Sequence, residues 1–67
     1  MRISKLMVAQ ITDRLHVSAS PAEVEANMRG AFNPAAAPDV IEAYVKAAHK
    51  RHAKNKKLYS RVMSGTL

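Results

Sequence analysis

The chain has 67 residues, no cysteine or tryptophan, two tyrosines and one phenylalanine, and a formal charge of +6 with a pI near 10.2. That length makes one small domain, burying only about 60% of its unfolded surface, and the lack of cysteine removes disulfides and thiolate zinc as staples. With two glycines there is no phosphate-cradling loop, the serines lack a positioned base and acid, and a helical chain this small has little room for a walled pocket. Neither an enzyme nor a bound cofactor is expected.

The first predicted helix covers about residues 2–16. Ile3, Met7, Ile11 and Leu15 recur every four positions and Val8 joins them, so they form one stripe at ~100° per residue. The apolar run before Gln10 is too short for a secretory signal, which wants about 7–15 such residues. No stretch reaches the ~18–20 apolar residues of a membrane span. A cytoplasmic protein is the expectation.

Gln10-Ile11-Thr12-Asp13-Arg14-Leu15-His16-Val17-Ser18 resembles the first helix and turn of the helix-turn-helix of bacterial and phage repressors. It departs from that pattern in three places. Histidine replaces the turn glycine at His16, threonine the small residue at Thr12, and Ala19-Ser20-Pro21 lengthens the turn that would fix a recognition helix.

The second helix covers about 21–32. Ser20-Pro21-Ala22-Glu23 offers a serine N-cap, a proline at the first helical position and a glutamate placed for a capping box. Val24, Met28 and Ala31 or Phe32 make its apolar face. Pro34 ends it by Asn33, unless Gly30 caps it a turn earlier in a left-handed conformation. Asn33 to Pro38 then reads as a linker between two prolines.

The third helix covers about 38–64, from Pro38, with Asp39 and Glu42 near its positive dipole end, towards Gly65 as a C-cap. Ile41, Tyr44, Val45, Ala48, His52, Asn55, Tyr59, Val62 and Met63 fall on one face. Lys46, Lys50, Lys54, Lys57 and Arg61 fall on the opposite face, at the spacings that align side chains in a row. Charge is lopsided along the chain. Residues 1–37 carry four cations against three acids, whereas residues 38–67 carry seven against two.

These features specify an all-α, three-helix domain, two short helices packing on the first two-thirds of a long basic amphipathic third. The cationic row, with Arg51 beside it, is the candidate site for an anionic partner: nucleic acid or an acidic protein surface. Arg51, Asn55 and Arg61 have side chains suited to base edges, while the polar face lacks aromatics for stacking on single strands. A solvated lysine face that keeps the chain soluble is the competing explanation. The stripe is interrupted at His52 and Asn55, so Leu58, Tyr59, Val62 and Met63 form a separate apolar patch expected to meet the first helix or a second copy. His49 and His52 stand three apart, yet two ligands do not make a metal site.

The segment His52 to Gly65, with its asparagine, leucine-tyrosine pair and valine-methionine before glycine, resembles the tail of small uncharacterised phage and prophage proteins of Gram-negative bacteria. The resemblance covers about a fifth of the chain. It implies no activity, and at most an accessory protein that binds and redirects a host macromolecule.

Overall fold

Serines open the first two helices. Ser4 and Ser20, both in extended backbone, accept through Oγ from the N–H groups of Met7 and Glu23, each at 3.2 Å. The computed structural model, which describes residues 3–65, places the helices at Lys5–Thr12 (α1), Pro21–Gly30 (α2) and Pro38–Gly65 (α3). The described chain is all-α and carries no strand.

α2 and α3 match the sequence expectation closely at their starts, where proline and the N-cap act locally. α2 ends at Gly30 without a left-handed cap; its C-cap is Ala31, and no described residue has positive φ. Only the serine half of its capping box forms, since Glu23 makes no hydrogen bond back to Ser20.

α1 is half its expected length. Its start moves from residue 2 to Lys5 because Ser4 caps it there and donates its own N–H to the Tyr44 hydroxyl at 2.9 Å; Arg2 lies outside the described residues. It stops at Thr12 because the next residues are drawn towards α3. The Asp13 side chain bonds to α3 and the His16 carbonyl meets His52, so residues 13–20 fold into successive turns. No tight helix-turn-helix connection forms.

α1 runs parallel to α3, with Ser4 beside Tyr44 and Asp13 beside Arg51, and α2 returns antiparallel, with Arg29 near Glu42 and Glu25 near His49. The core is Val8 from α1, Val24 and Met28 from α2, and Tyr44, Val45 and Ala48 from α3. Phe32 closes one end edge-on to Tyr44, ring centroids 5.1 Å apart. Ala48 is fully buried where the helices meet; a larger side chain there would force them apart. Thr12 Oγ1 is buried without a hydrogen-bond partner among the described residues.

At ~1.5 Å per residue the 28 residues of α3 span about 42 Å, most of the molecule's 49 Å long axis. The short helices cover its first half. The rest projects beyond the α1–α2 connection as a rod.

Candidate functional site

The cationic row is an exposed ridge. Lys46, Lys50, Lys54, Lys57 and Arg61 are all exposed on the side of α3 away from the core, over about 22 Å of helix. Their registry follows from the helix itself, because Val45, Ala48 and His52 must face inwards and the row lies opposite.

The acids are gathered elsewhere. Glu25 and Glu42 both bind Arg29, and Glu25 lies 3.8 Å from His49. Asp39 sits in the first turn of α3 and Glu23 in the first turn of α2, against the positive helix ends. From Ala43 to Gly65 the sequence has seven cations and no acid. Among the described residues no carboxylate pairs with any of the five ridge cations. The ridge field is therefore uncompensated from within.

Arg51 differs from its neighbours. It turns to α1 and grips Asp13 with two hydrogen bonds, Nε to Oδ1 at 3.0 Å and Nη2 to Oδ2 at 2.7 Å, while Asn55 Nδ2 donates to the same Oδ1 at 2.6 Å. This is the planar bidentate geometry that guanidinium suits best. Arg51 and Asn55 thus direct part of their donor set to the fold, two of the five guanidinium donors and one of the two amide donors. The single acid at the end of α1 gave no sign in the sequence that it would be their partner.

The Arg51 hydrogen bonds hold the Asp13 carboxyl below the usual carboxylate range, burial opposing the shift and Asn55 adding to it. Asp13 in turn raises Arg51. A carboxyl whose folded pKa lies below its unfolded value of about 3.9 stabilises the fold above that pH, and the stabilisation is lost as pH falls through the lower folded value. Thermal melts should therefore fall more steeply below pH 4 in the native chain than in Asp13→Asn. Parallel profiles for the two would show that the grip does not form.

The histidines diverge. Buried His52 places Nε2 3.0 Å from the His16 carbonyl oxygen, whereas His49 faces Glu25. His16 accepts from the Ser18 N–H through Nδ1 at 3.1 Å. Among the described residues no three metal-ligating side chains come together.

The distal apolar patch does not pack on α1. Leu58 and Tyr59 are 46% and 48% exposed, Val62 and Met63 63% and 58%. The Tyr59 ring reaches back to within 6.4 Å of that of His16. α1 ends too early to cover the others. The helix-turn-helix reading also loses its recognition surface, since Arg29, the single cation of α2, is engaged by Glu25 and Glu42.

Among the described residues no helix is long and apolar enough to cross a membrane. No protein-family model matches the chain, and neither a curated protein nor a solved structure matches it.

Proposed function

We propose that this chain is a small nucleic-acid-binding protein that tracks the phosphate backbone through Lys46, Lys50, Lys54, Lys57 and Arg61. The carrying observation is the sorting of charge: five exposed cations in line on one helix face, with the acids paired or placed at helix starts on other surfaces. Like charges four apart on a helix repel by a few tenths of a kcal/mol per pair. An adjacent row of phosphates offsets that repulsion.

Lysine reads phosphate as a point charge and carries no base information. Arg51 and Asn55 are held by Asp13, and among the five ridge cations Arg61 is the one with a guanidinium fork. The binding is accordingly tolerant of sequence. The ridge has no aromatic on which bases could stack, which favours duplex over single strand.

Titration of a duplex across a salt series tests this. Counterion release gives a log–log slope of about −0.9 per phosphate contact, so five contacts give about −4.5. Absence of binding at low salt, or a slope near zero, would refute the proposal.

A further inference from the structure

Beside the ridge lies a groove that shares two of its lysines. It runs between the start of α1 and the middle of α3, encloses about 430 Å³, and has Ile3, Val8 and Ala47 as its floor. Lys5 from α1 and Lys50, Arg51 and Lys54 from α3 stand round it, Arg51 being the one of the four already paired, with Asp13. Three features make it distinct. The floor is aliphatic throughout. The rim brings together cations from two helices that the chain separates by more than forty residues. The acid nearest in chemistry, Asp13, is already held by Arg51 and Asn55. The roomier hollow between α1 and α2 has Arg14 among otherwise neutral lining residues and shows no such charge pattern.

We infer that this groove docks an acidic peptide segment of a partner protein, with an aliphatic side chain over Ile3, Val8 and Ala47 and flanking carboxylates on Lys5, Lys50 and Lys54. Charge complementarity selects the acidic flanks, and the aliphatic floor selects the anchor. A nucleobase fits poorly: the floor offers no aromatic face to stack on, and lysine ammonium groups meet the acceptors of a base but none of its donors. The groove takes only a short segment, so the contact is a transient one. Lys50 and Lys54 belong to both surfaces, so peptide and nucleic acid compete. The inference shares Lys50 and Lys54 with the ridge reading and adds Lys5 and the aliphatic floor, which the ridge does not include.

The test is a ¹⁵N amide titration of the full chain with a hexapeptide of two central leucines flanked by four glutamates. The expected result is shifts at Ile3, Lys5, Val8 and Ala47, with affinity at least about tenfold weaker when the leucines become alanines, as one well-seated apolar anchor would give. Lys5→Glu, an exposed change in the first turn of α1, should weaken the peptide about tenfold. Lys5 shares the rim with Lys50 and Lys54, so duplex affinity should fall as well, and the leucine-to-alanine peptide comparison, which leaves every charge unchanged, is the arm specific to the groove. Equal titration by the leucine and alanine peptides, or shifts that spare Ile3, Val8 and Ala47, would overturn the inference. So would a duplex that moves those three amides while the leucine peptide leaves them unmoved. Loss of duplex binding with the peptide shifts intact would remove the ridge reading and leave the groove standing.

Discussion

Met28→Ala is expected to lower the melting temperature by something on the order of 10–40 °C and to leave much of the chain unfolded when warm. Met28 has no exposed surface and sits where α2 meets Val8, Tyr44, Val45 and Ala48. Truncating a buried methionine costs about 2–5 kcal/mol, part lost transfer energy and part cavity. A chain of this length has only about 3–10 kcal/mol in total, at ~0.05–0.15 kcal/mol per residue. Each kcal/mol moves the midpoint of so small a domain by roughly 4–8 °C. Leu6→Ala is the matched control: Leu6 is 69% exposed, so its change should stay within about 0.5 kcal/mol. Circular dichroism melts of the two variants decide the point. A Met28→Ala melt within a few degrees of the native one would mean that the core is not centred there.

The second large effect concerns binding. Lys50→Gln, Lys54→Gln and Lys57→Gln combined should lower duplex affinity a few hundredfold at 0.1 M salt, about eightfold per lost phosphate contact relative to 1 M salt. The salt slope should fall by about 2.7 at the same time. Glutamine is a good helix former, and its introduction removes like-charge neighbours, so stability should hold or rise slightly. That pairing of results separates a lost contact from a lost fold. Unchanged affinity and slope in the triple variant would sink the ridge as the binding surface, leaving its lysines as a solvated face.

What the sequence made legible was whatever is set by near neighbours. Pro38, Pro21 and Ser20 act within a turn of themselves, so α2 and α3 could be placed from local chemistry. The ridge was legible for the same reason, because spacing along one helix fixes which side chains line up. The bounds of α1 were not, since they depend on Ser4 meeting Tyr44, Asp13 meeting Arg51 and His16 meeting His52, pairings 36 to 40 residues apart. Arg51 shows the boundary between the two kinds of information. Its composition matches its ridge neighbours, but one residue beyond Lys50 is a rotation of ~100°, which points it at α1. Lys5 went unnoticed as a partner of Lys50 and Lys54 because nothing local says that α1 lies parallel to α3.

The rod beyond Asn55 has a consequence for how the protein meets its ligand. Upstream, α3 is held by burial of Tyr44, Val45, Ala48 and His52; downstream, its side chains are largely in solvent. Helix there rests mainly on intrinsic propensity and on continuation from the packed half, which supplies the nucleus that an isolated segment would lack. The last turns also carry the mutual repulsion of Lys54, Lys57 and Arg61, a few tenths of a kcal/mol per pair. On the proposed function, an anion laid along the row would lift that repulsion and firm the exposed half of the helix. The well-packed half acts as the seed from which the exposed half of α3 continues to Gly65.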